Sequence, residues 1–151
     1  MLRQISQDTP EWPAFIVALA GAHLPASDLA GAGQQFFSLN SAAAFGGYFV
    51  AGANALLRSI VVPPSARGRG LGQAIVTALL RQLEDQGVAR AWLLTTTAQP
   101  FFERLGFVPV DRNSAPMAIS TTPQFQGICP GSAAFMCRSL TPATPNQEAS
   151  A

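Results

Sequence analysis

The stretch from Leu56 to Leu83, LLRSIVVPPSARGRGLGQAIVTALLRQL, decides how the rest of the chain reads. An apolar run, Ile60-Val61-Val62, ends at Pro63 and Pro64. A loop with three glycines follows, Arg67-Gly68-Arg69-Gly70-Leu71-Gly72. Beyond it, Leu71, Ile75, Val76, Leu79, Leu80 and Leu83 recur with the period of one helical face. The unit is strand, glycine loop, helix. Glycines let a backbone come close to a ligand, and the first turn of a helix offers unpaired N–H groups at a positive dipole end. Such a loop suits phosphate.

Two common phosphate motifs fit poorly. A nucleoside triphosphate loop needs GxxxxGK[ST], and no Lys-Ser or Lys-Thr follows here. A dinucleotide fingerprint needs GxGxxG, and Gln73 stands where its third glycine belongs. The spacing Arg67-x-x-Gly70-x-Gly72 after a strand ending Val62-Pro63-Pro64 resembles instead the acetyl-CoA loop of the GNAT acetyltransferase superfamily. That resemblance implies that the loop N–H groups hold the cofactor pyrophosphate. A glycine turn with no ligand stays open at this point.

Composition bounds the alternatives. A chain of 151 residues reads as one domain with room for a real core. Hydrophobic residues make up 48% and charged residues 11%, which favours a packed domain over disorder. The net charge of +1, from 9 basic and 8 acidic residues, argues against a nucleic-acid surface or an acidic polymer as partner. Arg, Gln and Asp interrupt every apolar run before it reaches bilayer length. The opening residues MLRQISQDTPEW lack the apolar core of a signal peptide. Cys129 and Cys137 do not make a disulfide scaffold, so a cytoplasmic protein with free thiols is expected. No metal site is expected.

In chain order, Leu2 to Ile5 reads as a first strand. Thr9-Pro10-Glu11 reads as a helix start, with a capping hydroxyl, a proline and a carboxylate. Trp12, Phe15, Ile16 and Leu19 carry that helix, and Gly21 ends it. Ser27-Asp28-Leu29 suggests a second short helix. Strands are expected at Gln35 to Leu39, Gly46 to Ala51 and Ala55 to Val62, with Gly52-Ala53-Asn54 as a hairpin turn. The long helix after the glycine loop closes at Gly87. Val88 to Thr95 is a strand buried on both faces. A short helix with Phe101, Phe102 and Leu105 stops at Gly106. Phe107 to Val110 and Ala133 to Leu140 are the last strands. Two proline-led turns lie between them, at Ala115-Pro116-Met117 and Thr122-Pro123-Gln124. The domain is expected to span residues 1–140, with residues 141–151 as a mobile tail.

A second motif sharpens the resemblance. Phe101-Phe102-Glu103-Arg104-Leu105-Gly106-Phe107 resembles the [FY]YxxxGF segment of the GNAT superfamily, beside the thiol end of CoA. One helix and one strand separate it from the glycine loop, as in the superfamily. The implied fold is α/β: a single-domain GNAT fold, a mixed twisted sheet with helices on both faces. Ala55-Leu56-Leu57-Arg58-Ser59, Leu94-Thr95-Thr96-Thr97-Ala98, Asp111-Arg112, Ala115-Pro116 and Cys129-Pro130-x-Ser132-Ala133 together resemble a narrower group. It is the smaller ArsN-type branch of arsenic-resistance-associated N-acetyltransferases.

The resemblance assigns roles. The backbone of Ile60, Val61 and Val62 would pair with the pantetheine arm and polarise the thioester; as side chains these residues read as plain buried strand. With Gly68, Gly70, Leu71, Gly72 and Gln73, Arg67 and Arg69 would complete the acetyl-CoA site, though either arginine also reads as simply solvated. Phe101 and Phe102 would line its thiol end. Many relatives carry a tyrosine at the position of Phe102 to protonate the leaving thiolate, and Phe102 has no proton to give. The catalytic acid and base are therefore left unassigned. Tyr48 is the one tyrosine and reads first as a core aromatic, and His23 is the one histidine, in a loop. Glu11 and Glu103 are candidate bases, but each is expected rather to face solvent. Arg58 interrupts an apolar strand and needs an anionic partner. It reads equally as a clamp for a substrate carboxylate or oxyanion and as a structural pair with Asp111 or Glu103. Arg112 is a further substrate candidate.

The expected activity is acetyl-CoA-dependent N-acetylation of a small amine, an amino-acid-like toxic compound in an arsenic-resistance setting. A non-catalytic acyl-CoA sensor with the same fold is the alternative. Direct arsenical binding through Cys129 is a third reading. A homodimer stays open; nucleic acid and membrane are not expected as partners.

Overall fold

A computed structural model of the chain describes residues 2–24, 26–27, 29, 33–123, 125–126 and 133–141. Its strands are β1 (Leu2–Ile5), β2 (Gln34–Leu39), β3 (Ala44–Ala51), β4 (Asn54–Val61), β5 (Arg90–Thr95), β6 (Val108–Pro109) and β7 (Ala134–Ser139). Its helices are α1 (Trp12–Gly21), α2 (Leu71–Asp85), α3 (Gln99–Arg104) and α4 (Met117–Ser120). The strands form one seven-stranded sheet in the order β1-β2-β3-β4-β5-β7-β6. β1, β2 and β3 run antiparallel, whereas β4 pairs with β5 in parallel, as a strand–helix–strand crossover requires. The sheet is therefore mixed, and the α/β class expected from the sequence is the observed one.

By contacts the chain groups into two compact units, Met1–Phe49 with Leu57–Leu79 and Val50–Leu56 with Leu80–Ala151. In the first, α1 lays Phe15, Ala18 and Leu19 on a core that also holds Ile5, Phe36, Phe45 and Val61. The rings of Trp12, Phe15, Phe36 and Phe45 meet edge-on or tilted at centroid distances of 5.2–5.9 Å, the arrangement their quadrupoles favour. The first half of α2 buries Ile75, Val76 and Leu79, and each such side chain contributes about 1.5–3 kcal/mol. Gly46 permits the fit: a Cβ there would lie 2.7 Å from Ile60 and 2.9 Å from Leu79.

The second unit is built on Leu56, Trp92, Ile119, Phe135 and Cys137. Trp92 stacks on Phe135 at 5.2 Å and donates its indole N–H to Asn54 Oδ1 at 2.9 Å, so its one polar atom is satisfied in the core. β7 runs antiparallel to β5 from Arg90↔Ser139 to Thr95↔Ala134. The end of α2 is capped as its sequence implies. Gly87 is left-handed (φ 85°), and Val88 N–H donates to Leu83 O at 3.0 Å, the long closing bond of a glycine cap.

Three expectations change. α1 begins at Trp12 with Glu11 as its cap residue, not at the Thr9-Pro10 signal; Pro13 occupies the first turn. Thr9 Oγ1 instead bonds Ser6, accepting from its N–H and donating to its carbonyl, which closes the turn before the helix. Glu11 does not face solvent. Its side chain is 13% exposed, Arg3 approaches Oε2 at 3.5 Å, and Oε1 is buried without a hydrogen-bond partner among the described residues. No helix forms among the described residues at Ser27 and Leu29, and Asp28 lies outside them. Gln124, Cys129, Pro130 and Ser132, and all of the expected tail beyond Thr141, also lie outside the described residues. Among the described residues, no helix is long and apolar enough to cross a membrane.

Candidate functional site

The loop before α2 is shaped by its prolines and glycines. Pro63 (φ −56°, ψ 150°) ends the strand, and a short 3-10 turn covers Pro64–Ala66. Ala66 N–H donates to Pro63 O at 2.9 Å, and the Ala66 methyl is buried. Arg67 is extended again and folds back, its Nε donating to Val62 O at 3.1 Å. Gly68 (φ 84°) and Gly70 (φ 72°) are both left-handed. A Cβ at either would meet nothing within 4 Å, so conformation rather than crowding demands glycine. An L-residue in this conformation costs about 1–2 kcal/mol.

The helix starts where this turn releases the chain. Ala74 N–H donates to Gly70 O at 3.1 Å, so the N–H groups of Leu71, Gly72 and Gln73 precede the first intrahelical donor. α2 is 15 residues long and carries no acidic residue in its first turn. Its dipole would therefore meet an anion without competition from a side-chain carboxylate. Arg67, Gly68, Arg69 and Gly70 are exposed around that end, as is Gln73. The arrangement can hold an anionic phosphate by backbone N–H groups, with two guanidinium groups nearby in sequence.

β4 leads into the loop. Val61 is buried in the core of its unit, and Ile60 is half-buried. Arg58 is 4% exposed. Its Nε donates to Ser59 Oγ at 3.1 Å, one terminal nitrogen donates to Gln34 Oε1 at 3.3 Å, and its guanidinium lies 5.4 Å from the centre of the Phe36 ring. Ser59, itself buried, has φ 59° in the middle of the strand. Nothing in the sequence marks it, because serine is not a residue that advertises a left-handed conformation. Tyr48 is 1% exposed, and its ring tilts against Phe37 at 5.2 Å. His23 is exposed in the turn after α1.

The remaining candidates belong to the second unit. Phe102 is 6% exposed and meets Phe101 and Phe107 edge-on, at 5.0 and 5.7 Å. Phe107 N–H donates to Phe102 O at 3.1 Å, which closes the α3 corner at the left-handed Gly106. Glu103 is exposed and accepts from Gln99 Nε2 at 3.4 Å. Arg112 is half-buried. It donates to Ala133 O at 2.8 Å and stacks 5.5 Å over Phe125, so it ties the segment after β6 to the residue before β7. The Asp111 carboxylate accepts from Asn113 N–H at 3.0 Å, capping a short turn. Burial pushes the Cys137 thiol up from its ordinary value, and the charge of Arg90 offsets this in part. It stays a neutral thiol at pH 7. Among the described residues, no cluster of three or more His, Cys, Asp or Glu side chains is placed to hold a metal ion.

The first unit thus gathers Tyr48, Arg58, Ile60, Val61, Val62 and the loop from Arg67 to Gln73. The second holds Phe101, Phe102 and Arg112.

Known proteins match this arrangement. The family described as the acetyltransferase (GNAT) domain matches residues 32–109, just over half of the 151-residue chain. The Escherichia coli ribosomal-protein-S18-alanine N-acetyltransferase is 26% identical with a TM-score of 0.64, over 97% of this chain and 98% of that one. A Mycobacterium tuberculosis protein solved in complex with CoA is 20% identical with a TM-score of 0.71, over 93% and 99%. The N-acetylglutamate synthase of Neisseria gonorrhoeae, solved with coenzyme A and N-acetyl-glutamate, is 16% identical with a TM-score of 0.72. The present chain is 93% covered but spans only about a third (35%) of that synthase's length. No curated protein sequence matches the chain.

Proposed function

Since the chain belongs to the GNAT acetyltransferase family, we propose that it transfers the acetyl group of acetyl-CoA to the amine of a small molecule. The observation that carries this reading is the start of α2. Its first N–H groups follow a loop that Gly68 and Gly70 turn left-handed, and no first-turn carboxylate opposes an anion. In this proposal the N–H groups of Leu71, Gly72 and Gln73 bind the pyrophosphate, with Arg67 and Arg69 as flanking charges and Gly68 and Gly70 shaping the turn. The backbone of Ile60, Val61 and Val62 holds the pantetheine arm and polarises the thioester carbonyl. Removing one such backbone donor typically costs about 10²–10³ in rate. Phe101, by its resemblance to the [FY]YxxxGF segment, is assigned to the cofactor in the same proposal.

The chemistry is then a balanced acyl transfer. The acceptor nitrogen, having lost its proton to water, attacks the carbonyl carbon. A tetrahedral oxyanion forms, its nitrogen gives up a second proton to solvent, the oxyanion collapses with cleavage of the C–S bond, and the thiolate takes a proton from solvent. The products are the amide and free CoA. Phe102 cannot supply that last proton, and its ring is buried against Phe101 and Phe107. That burial favours positioning and backbone polarisation as the source of catalysis. It also supports a second reading, a GNAT-fold acyl-CoA sensor without turnover. We further propose an amino-acid-like acceptor in an arsenic-resistance setting, supported by the resemblance to the smaller ArsN-type group.

Release of free CoA thiol from acetyl-CoA across a panel of small amines separates the two readings. Turnover above the hydrolysis background is expected with an α-amino acid or a close analogue. Acetyl-CoA binding without turnover on any amine of the panel would leave the sensor.

A further inference from the structure

We propose that Arg58 is a positioning residue that locks a reversal of face in β4, not a group that touches the acceptor. In a regular strand, side chains at odd separations point to opposite faces, so Arg58 and Val61 belong on different sides. Here they share one. The Arg58 guanidinium lies 5.4 Å over Phe36, and Val61 packs in the same buried cluster as Phe36. Ile60 lies on the other side, its Cδ1 with Leu79 Cδ1 and Ile75 Cγ1 around the empty Cβ position of Gly46. The residue that switches the parity is Ser59, left-handed at φ 59° between them.

Serine does not favour that conformation, and Ser59 is buried, so its neighbours must hold it. Arg58 is built to do so. Its Nε donates to Ser59 Oγ, while Gln34 and the Phe36 ring, both on the same face of β2, seat the rest of the guanidinium. Gly47 makes the seat possible, because a Cβ there would lie 2.5 Å from the Phe36 ring and 2.5 Å from Gln35 O. An always-charged fork with a fixed geometry suits this task better than a flexible lysine. The lock decides which way the backbone of Ile60, Val61 and Val62 faces. Its catalytic consequence rests on the proposed use of that backbone to seat the thioester.

A double-mutant cycle of Arg58→Met with Ser59→Gly tests it, because glycine holds a left-handed backbone without help. Arg58→Met alone is expected to lower kcat about tenfold, with the acceptor KM and the acetyl-CoA Kd within about twofold. In the Ser59→Gly background the same substitution should cost less than about threefold. The urea unfolding midpoint should show the same coupling, a clear drop from Arg58→Met with Ser59 present and a smaller one with glycine. A rise in acceptor KM of equal size in both backgrounds would make Arg58 a substrate clamp and overturn the proposal. Additive midpoints would overturn it too. If the wild type turns over no amine, the proposed function fails, while the unfolding cycle still decides the lock. Should Arg58→Met not fold, Arg58→Lys removes the Nε donor but keeps the charge, and it must show the same coupling or the lock is rejected.

Discussion

The loop from Arg67 to Gly70 and the β2–β3 turn from Asn40 to Ala42 solve the same backbone problem in different ways. Both carry the chain through left-handed conformations. The first uses glycine, at Gly68 (84°) and Gly70 (72°). The second uses side-chain-bearing residues in succession, Asn40 (49°), Ser41 (56°) and Ala42 (74°). In the loop nothing lies near the missing Cβ atoms, so glycine serves conformation and leaves the space before α2 open to a ligand. In the turn the ladder does the holding. Leu39 pairs with Ala44, Ala43 N–H donates to Leu39 O at 2.9 Å, and Ala42 packs on the core of its unit. Ser59 is a third case, left-handed inside a strand and held by a buried arginine. Where glycine does the work, the ligand side stays clear. Where neighbours do it, the strain is stored in the scaffold.

The largest way to break this contrast is Gly70→Glu. It places bulk and negative charge at the start of α2, and calorimetry should show acetyl-CoA binding lost by at least about 100-fold in a folded protein. Unchanged affinity would mean that the cofactor phosphates sit elsewhere. Ser59→Val comes next, because a β-branched side chain at positive φ is a true outlier and the acceptor for Arg58 Nε disappears with the hydroxyl. Stability to urea should fall by about 2 kcal/mol. A variant as stable as wild type would show that the strand relaxes and that Ser59 stores nothing. The smallest effects form a pair of opposite sign. Gly68→Ala should destabilise by about 1 kcal/mol, since it adds a Cβ at positive φ with no compensating contact. Ser41→Gly, at an exposed position in the other turn, should stabilise by about 0.5 kcal/mol, the relief of strain slightly exceeding the entropy of a freer unfolded chain. If both change stability in the same direction, the difference between the two turns is not one of local backbone strain.

Much of this molecule is readable in one dimension because the forces are local. The period of Leu71, Ile75, Val76, Leu79, Leu80 and Leu83 marks a buried face of α2, and five of these are buried and Leu71 half-buried. Gly87 caps that helix by a bond between residues close in sequence. The β4–α2 loop reads correctly because prolines and glycines restrict or free φ at their own positions, whatever surrounds them. Even local signals compete, however. Thr9 looks like a helix cap, yet its hydroxyl is taken by Ser6, and the helix starts at Trp12 instead.

What the sequence determined by itself was the α/β order of elements, the glycine loop opening a helix, and the Phe101–Phe107 corner. These arise from periodicity and backbone chemistry within a few residues of each other. Only the tertiary structure decided where Arg58 spends its hydrogen bonds. One partner is adjacent, but Gln34 and Phe36 lie on another strand, reached only once the sheet has formed. The same holds for Trp92, whose indole finds Asn54 across the parallel β4–β5 pair, and for Glu11, drawn from solvent toward Arg3 of β1. The left-handed Ser59 belongs with them. Its φ is not a preference of serine but the outcome of contacts, and contacts between distant residues are not written in the local order of the chain.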